Sequence, residues 1–280
     1  MWQQLKIGLS RVSDTHGRVA ERLANIPDTY NPEETAIIIL GDAGFNFWLN
    51  KSDYKTKRQA NEFGYTIYCV RGNHEARPET LDGIQSRFDD NVRGDVFMED
   101  EFPNIRYFKD GGVYDINGHR TLVIGGAYSV DKWYRLARAG LLESENNPAK
   151  SGWFSDEMLT PSEMDAIGAV AAGQRFDLIL SHTCPILWEP TDLFLSFIDQ
   201  STVDKTMEIW MDELRHKMAD WGVWCFGHFH ADRIEAPRVQ QFYYNIEDLE
   251  TVWNRWFNEA TIDQEYWLEK SPNYYMEESK

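Results

Sequence analysis

Short apolar runs recur along the chain, and each is followed by a turn of glycine or polar residues. Runs of this length, rich in β-branched side chains and bounded by turns, are typical of buried β-strands. The sequence therefore predicts strands in the segments LKIGLSRVS, TAIIIL, YTIYCV, RTLVIGGAYS, FDLIL and WGVWCF.

Helical patterns lie between several of these runs, over residues 17–25, 51–63 and 204–220. The third is the clearest, because its apolar side chains recur every three or four positions. Those side chains are Met207, Trp210, Met211, Leu214 and Met218. Alternating strands and helices predict an α/β architecture, in which ligands bind at the carboxyl ends of the strands.

Two segments depart from this alternation. Residues 131–173 are predicted to form a helical insertion beside the binding site, and Thr160, Pro161 and Glu163 mark a good helix start within it. Residues 251–280 combine tryptophans with an excess of acidic side chains, which predicts an aromatic, acidic helix followed by a frayed tail. Residues 1–250 are expected to form the main domain.

Charge and cysteine content narrow the class of protein. The net charge of −18 repels the nucleic-acid backbone unless a local cation patch or a bound metal offsets it. The three cysteines have no C-x-x-C spacing, so we expect buried free thiols and a reducing compartment. The sequence shows no signal peptide and no apolar run of about 18 residues, which predicts a cytoplasmic protein without a membrane span, or a host-cytoplasmic one if the chain is virus-encoded.

The turns after the strands carry side chains that bind transition metals: Asp14, His16, Asp42, Asn73, His182, His228 and His230. In an extended chain, residues i and i+2 point the same way, so His228 and His230 are expected to present two ligands to one place, as are Asp14 and His16. Imidazole nitrogens mixed with carboxylate and amide oxygens suit Zn, Mn, Fe or Ni rather than Ca.

The number of these groups matters as well. Seven are too many for one tetrahedral ion, and they fit two ions that share a bridging carboxylate. Two metals about 3.5–4 Å apart clamp the attacking and leaving oxygens in an in-line displacement at phosphorus. A structural zinc site is the weaker alternative, since such sites have four closed ligands and are commonly rich in cysteine.

Five blocks, SDTHG, LGDAG, RGNHE, SHTCP and GHFH, occur in this order over residues 14–230. In this order they resemble the motifs of the calcineurin-like metallophosphoesterase superfamily, and the chain is most similar to its bacterial and phage-type members. The resemblance implies an α/β sandwich of two central mixed sheets flanked by helices, with residues 1–250 as the metallophosphoesterase domain.

The resemblance also implies roles for these residues. One metal would be held by Asp14, His16 and His230, and the other by Asn73, His182 and His228. Asp42 would bridge the two ions, and a hydroxide between them would attack phosphorus. His74 would not be a ligand, and would either stabilise the transition state or protonate the leaving oxygen.

The chain departs from the family pattern at three places. Phe45 stands where the family has the second aspartate of G-D-x-x-D, and the adjacent Asn46 is a candidate for a polar role at the site. Ser10 and Arg11 interrupt the first strand, where the family is apolar. The arginine that follows G-D-x-x-D in protein Ser/Thr phosphatases is absent.

Two further residues are candidates for substrate contact. Arg77 follows the GNHE block, and an arginine fork matches phosphate oxygens. Tyr128 lies at a strand end in GGAYSVDKWYR. The alternatives are that Arg77 is an ordinary solvated surface arginine and that Tyr128 lies at the pocket edge without contacting the substrate.

The sequence therefore predicts a phosphoric ester hydrolase with two divalent or trivalent transition metals, manganese being favoured. The phosphatase-like RGNHE block and the acidic composition favour a phosphomonoesterase. A phosphodiesterase or nuclease with the same metal site is the first alternative. A non-catalytic binding module that retains the fold is the second.

Overall fold

The computed structural model describes residues 4–7, 19–27 and 29–258. In chain order its strands are β1 (Gln4–Ile7), β2 (Thr35–Leu40), β3 (Thr66–Val70), β4 (Ile84–Asp89), β5 (Gly94–Glu99), β6 (Ile105–Phe108), β7 (Val113–Ile116), β8 (His119–Ile124), β9 (Arg175–Ser181), β10 (Asp220–Phe226), β11 (Arg233–Ala236), β12 (Val239–Gln241) and β13 (Glu247–Asp248).

The helices lie between and after the strands. The α-helices are α1 (Val19–Leu23), α2 (Lys51–Glu62), α3 (Lys132–Ala139), α4 (Pro148–Ser151), α5 (Pro161–Ala171), α6 (Thr206–Lys217) and α7 (Leu249–Phe257). Short 3-10 helices cover Pro78–Thr80, Glu143–Glu145, Ile186–Trp188, Thr191–Leu193 and Gln200–Thr202. Within the described ranges, no helix has both the length and the apolar character needed to cross a bilayer.

The described strands form two mixed sheets. The first has the order β13-β1-β2-β3-β6-β5-β4, and the second has the order β11-β12-β10-β9-β8-β7. In the first sheet β1, β2, β3 and β6 are parallel, and in the second β8, β9, β10 and β12 are parallel. Antiparallel strands complete both edges. The predicted α/β sandwich of two central mixed sheets flanked by helices is confirmed.

Strand β2 shows how the core is layered. All six of its residues are buried, because both faces of the sheet are covered. Ile38 and Leu40 pack in one cluster with Leu178 and Leu180 of the other sheet, so this cluster lies between the sheets. Ile37 and Ile39 point the opposite way, into a second cluster that includes side chains of α1 and α2.

The apolar runs from TAIIIL onward correspond to β2, β3, β8, β9 and β10, so those strand predictions are confirmed. Strand β1 covers the start of the first run, and the rest of that run, including Ser10 and Arg11, lies outside the described residues. The predicted helices correspond to α1, α2 and α6.

The segment 131–173 is helical, since it contains α3, α4 and α5. Helix α5 begins as the sequence predicts. The Thr160 side chain accepts a hydrogen bond from the Glu163 N–H, the Glu163 carboxylate accepts one from the Thr160 N–H, and Pro161 occupies the first helical turn. In the predicted C-terminal segment, α7 packs Trp253 and Trp256 against the core between the sheets. Residues 259–280 lie outside the described residues.

Candidate functional site

Four parallel strands of the two sheets end at one place. Strands β2 and β3 deliver Asp42, Asn73 and His74, and strands β9 and β10 deliver the histidines of the other sheet. Five of these side chains line one cavity of about 530 Å³: Asp42, Asn73, His74, His228 and His230. His182 lies beneath them and is fully buried.

The imidazole of His182 is held between oxygen atoms. Its Nδ1 lies 2.8 Å from the Leu40 carbonyl oxygen, which only accepts, so Nδ1 carries a proton. Its Nε2 lies 2.8 Å from Asn73 Oδ1 and 3.5 Å from Asp42 Oδ2. Both of those atoms also carry lone pairs.

Three lone-pair atoms thus converge from a histidine, an amide and a carboxylate. An arrangement of this kind is stable only with a cation among the three atoms, which is either a proton on Nε2 or a metal ion. Burial lowers the pKa of His182, but the charge and hydrogen bond of Asp42 oppose burial and leave that pKa above its ordinary value. The mixed N and O donor set fits a transition metal.

Asp42 carries the negative charge of the site. Burial raises its pKa, yet His182, His74 and their hydrogen bonds outweigh burial and hold the pKa below its ordinary value. Its backbone is left-handed, with φ 54°, and its Oδ1 accepts the His74 N–H at 2.9 Å. Left-handed backbone at a residue other than glycine is strained, and such strain concentrates at functional sites.

Two glycines make room for these side chains. A Cβ on Gly41 would lie 1.9 Å from His182 Nδ1, and a Cβ on Gly72 would lie 2.0 Å from Asp42 Oδ1. Both distances are far below van der Waals contact, so only glycine permits this approach. The glycines of the LGDAG and RGNHE blocks are therefore required by the packing of the candidate ligands.

His228 and His230 do not lie in extended chain, which corrects the sequence argument. Their φ angles are 65° and 59°, and the Phe229 N–H donates to the Gly227 carbonyl at 2.8 Å, so the segment is a turn. The turn still presents both imidazoles to the cavity. The His228 ring packs edge-on against His182, with centroids 4.9 Å apart, and the His230 ring stacks on Tyr243.

The electrostatics of His228 favour a neutral ring. Burial lowers the pKa of His228 well below its ordinary value, and the charge of His182 lowers it further while Asp42 opposes the shift. A neutral imidazole is the form that binds metals.

His74 lies beside the candidate ligands. Its Nε2 is 3.3 Å from Asn73 Nδ2 and 3.5 Å from a terminal nitrogen of Arg135, and both neighbours are donors, so Nε2 accepts. Burial lowers the pKa of His74; Asp42 opposes that shift and Arg135 reinforces it. Its Nδ1 is buried and has no hydrogen-bond partner within the part of the chain that the structure describes.

Phe45 and Asn46 do not reach the cavity. The phenylalanine replaces the family's second aspartate, and its ring is fully buried in the cluster between the first sheet and its helices. Asn46 is also buried, but its side chain bonds to Tyr107 and it does not line the cavity. The structure therefore does not bring Asn46 to the substrate side of the site.

Of the two other candidates for substrate contact, Arg77 and Tyr128, one lines the cavity and the other does not. Arg77 does not line the cavity. Its guanidinium pairs with the Glu163 carboxylate at 2.7 Å and donates to the carbonyl oxygens of Asp156 and Met158. These partners turn Arg77 away from the cavity and tie it to the helical insertion. Tyr128 does line the cavity, and burial raises the pKa of its hydroxyl.

Two predicted ligands, Asp14 and His16, lie outside the described residues. Within those residues, no three or more His, Cys, Asp or Glu side chains are grouped so that they would hold one ion. The converging group described above has one histidine and one carboxylate, because its third member is the amide of Asn73.

The structure adds residues that sequence reasoning missed. Asn73 Nδ2 donates to Ser129 Oγ at 2.7 Å, and Ser129 Oγ donates to the Glu157 carboxylate. Glu75 accepts from the N–H groups of Gly44 and Gly72, so it ties the two loops that carry Asp42 and Asn73. Glu75 belongs to the recognised RGNHE block, whereas no signal in the sequence marks Ser129 or Glu157.

A two-sheet α/β sandwich, with histidine, aspartate and asparagine side chains gathered where its strands end, is the architecture of a metal-dependent phosphoester hydrolase. The model of the family "Calcineurin-like phosphoesterase" matches residues 12–232, and the chain belongs to this family. Membership supports metal-dependent hydrolysis of phosphoesters as the general activity. A comparison with curated proteins gives no match.

Proposed function

We propose that the chain is a phosphomonoesterase with a dinuclear metal centre. The observation that carries the proposal is the convergence of His182 Nε2, Asn73 Oδ1 and Asp42 Oδ2 at 2.8–3.5 Å in a buried place that needs a cation. The position of this group at the floor of a cavity gives a substrate access to it.

The proposal assigns each side chain a task. Asp42 would be shared by the two ions. Asn73, His182 and His228 would hold one of them, and Asp14, His16 and His230 would hold the other. The metals would be divalent or trivalent transition ions, since the mixture of N and O donors suits Mn, Fe, Zn or Ni, and manganese is the ion proposed. When bound, the ions supply Lewis acidity at the phosphoryl group and a nucleophile at neutral pH.

His74 acts on the reacting ester. It lies beside the candidate ligands, and its backbone N–H donates a hydrogen bond to Asp42 Oδ1. From this place it either stabilises charge on the phosphoryl oxygens or delivers a proton to the leaving oxygen. Tyr128, at the wall of the same cavity, is proposed to contact the substrate.

The charge of the cavity supports a monoester over a nucleic acid. Its described lining contains five acidic side chains and one lysine or arginine: Asp42, Asp131, Glu189, Asp204, Glu208 and Lys205. Lys205 is already paired with Glu189 at 2.7 Å. A polyanion gains its affinity from several lysines and arginines on its phosphates, which this lining does not provide.

Removal of metal tests the proposal. Protein stripped by a chelator is expected to lose turnover of p-nitrophenyl phosphate and to regain it when Mn²⁺ is added, because the converging donors need a cation to act. Ni²⁺, Zn²⁺ and Mg²⁺ are compared in the same assay. A matched assay on bis-p-nitrophenyl phosphate separates the two ester classes, and the monoester is expected to be preferred.

Each result of that assay has a meaning. Preference for the diester would replace the monoesterase with a phosphodiesterase that has the same metal site. Two bound ions without turnover of either ester would favour a non-catalytic binding module. Absence of metal binding would overturn the assignment of the ligands.

A further inference from the structure

One part of the cavity lining is apolar and is called here the apolar wall. Residues 191–205 supply most of its side chains, and the turn after β10 adds one ring. The apolar lining side chains of these two segments are Leu193, Phe194, Leu195, Ile198, Val203 and Phe229. The cavity of about 530 Å³ lies within the range of about 300–1,000 Å³ that holds small organic molecules.

These apolar side chains are partly exposed. Leu195 is 52% exposed and Leu193 is 41% exposed, although both line a cavity that continues to the candidate ligands. Phe194 and Phe229 stack with ring centroids 6.1 Å apart, which fixes the wall. Apolar surface that continues directly into a reactive site is suited to the organic part of a substrate.

The charged lining residues exclude a second anionic group. Lys205 is the one lysine or arginine among the described lining residues, and its ammonium is shared between the Glu189 carboxylate and the face of Phe194, 4.5 Å from the ring centroid. A carboxylate or a second phosphate on the substrate would meet the carboxylates of the lining, such as Asp204, and Lys205 is already paired with one of them.

We infer that the substrate is a phosphate ester whose organic group is uncharged and apolar, and that this group lies against the wall formed by residues 193–203. The inference rests on the proposed function, since the phosphoryl group must lie at the candidate ligands. It favours alkyl or aryl esters over sugar phosphates, nucleotides and phosphorylated acidic peptides.

A series of n-alkyl phosphates tests the inference, because the basicity of the leaving oxygen is nearly constant along the series. One fully buried methylene corresponds to about a fourfold gain. For a group that is only partly buried, kcat/KM is expected to rise at least about tenfold from ethyl to hexyl phosphate. Hexyl phosphate with a terminal carboxylate is expected to lose this gain.

A matched pair of variants locates the effect. Phe194→Ser removes a ring of the wall and is expected to flatten the dependence on chain length. Phe197→Ser changes a ring on the same segment that is 78% exposed and does not line the cavity, so this variant is expected to keep the dependence. Leu195→Ser is the second wall variant.

Two results would go against the inference. Equal kcat/KM for ethyl and hexyl phosphate, with p-nitrophenyl phosphate still hydrolysed, would overturn the inference and leave the proposed function intact. No turnover of any ester by metal-loaded protein would overturn the proposed function, and the inference with it.

A separate observation concerns the amide of Asn73. Asn73, Ser129 and Glu157 are all buried, and they form a directed chain of hydrogen bonds. The Glu157 carboxylate also accepts the Ser129 N–H at 3.0 Å. The Ser129 hydroxyl donates its proton to the Glu157 carboxylate, so Ser129 Oγ can only accept from Asn73. Asn73 therefore points its NH₂ group at Ser129 and its Oδ1 at His182.

The geometry points to Ser129 and Glu157 as positioning residues that hold the Asn73 amide in its ligating orientation. This assignment also rests on the proposed function. Without the hydroxyl, the amide is free to rotate and present its NH₂, which binds no metal. Residues that orient metal ligands contribute about 10–100-fold to metal affinity.

Burial raises the pKa of Glu157 to about 7, so titration calorimetry with Mn²⁺ is done at about pH 8, where this carboxylate is mostly ionised. Ser129→Ala is expected to weaken Mn²⁺ binding about 10–100-fold. Ser129→Thr, which keeps the hydroxyl, is expected to restore binding. Ser151→Ala removes another buried hydroxyl, one bonded to Asn146, and serves as the control for a structural effect.

The unfolding temperature of each variant is measured in parallel. Glu157→Gln, which leaves Ser129 in place, is expected to weaken binding in the same direction. Unchanged Mn²⁺ affinity in folded Ser129→Ala would overturn the positioning role, whereas a wild-type protein that binds no Mn²⁺ would overturn the ligand assignment beneath it.

Discussion

Asp42→Asn is expected to abolish metal-dependent turnover and leave the chain folded. Asparagine tolerates the left-handed backbone at this position and preserves the side-chain shape. It removes the negative charge that faces His182, and with that charge the group proposed to bridge the ions. We expect kcat/KM on p-nitrophenyl phosphate to fall by about 10³-fold or more, the size of several kcal/mol of Lewis-acid stabilisation.

The metal content of Asp42→Asn decides whether its loss of turnover comes from the loss of a metal ligand. Asp42→Asn is expected to bind Mn²⁺ at least about 100-fold more weakly than the wild type, since a ligand contributes more than a residue that orients one. Asp53→Asn is the matched control: Asp53 is also buried, but it accepts the N–H groups of Trp48 and Leu49 before α2. That change is expected to lower stability and spare metal binding. Full metal occupancy in Asp42→Asn would refute the bridging role.

The candidate site was predictable because it follows the strands. A short apolar run predicts a strand, and parallel strands that neighbour one another place their following turns at one edge. Asp42 and Asn73 follow neighbouring strands of one sheet, so their proximity follows from the pattern. His182 follows a strand of the other sheet, and its place beside them was implied only by the family resemblance. The peripheral strands β4 and β5 were not predicted, because they carry exposed and charged residues and do not read as apolar runs.

The supports of the site were not predictable from the pattern. Ser129 and Glu157 lie 56 and 84 positions from Asn73, and no local signal marks residues that meet only in the fold. Arg135 reaches His74 from α3, and no pattern in the sequence assigns it a role. The contacts of Arg77 were unpredictable for the same reason, since its carboxylate partner Glu163 comes from a helix 86 positions away.

The turn after β10 shows a second limit. The sequence argument places His228 and His230 on one side by assuming extended chain, but left-handed backbone at both residues brings them to the cavity. A left-handed backbone conformation at a single residue is set by packing around the turn, because residues other than glycine rarely adopt it on their own. The prediction of the place was sound, and its geometric reason was wrong.

His74→Ala is expected to retain bound metal and to lower turnover about 10²–10⁴-fold, the usual range for acid–base catalysis. The His74 imidazole lies beside the candidate ligands, whereas the hydrogen bond to Asp42 comes from the backbone N–H of residue 74, so Asp42 keeps that bond in the variant. His216→Ala, on the exposed face of α6, is the control and is expected to leave turnover and metal content unchanged. Turnover by His74→Ala at the wild-type rate would remove His74 from the mechanism.

The two possible roles of His74 separate by leaving group. If His74 protonates the leaving oxygen, the defect of His74→Ala is larger on hexyl phosphate, whose alkoxide is strongly basic, than on p-nitrophenyl phosphate, whose phenolate leaves without a proton. If His74 stabilises charge on the phosphoryl oxygens, both esters lose the same factor. The neighbours of the ring favour the second result. Burial and the Arg135 guanidinium lower the pKa of His74, and the opposing charges of Asp42 and Asp131 leave that pKa below its ordinary value. A neutral imidazole is a poor proton donor.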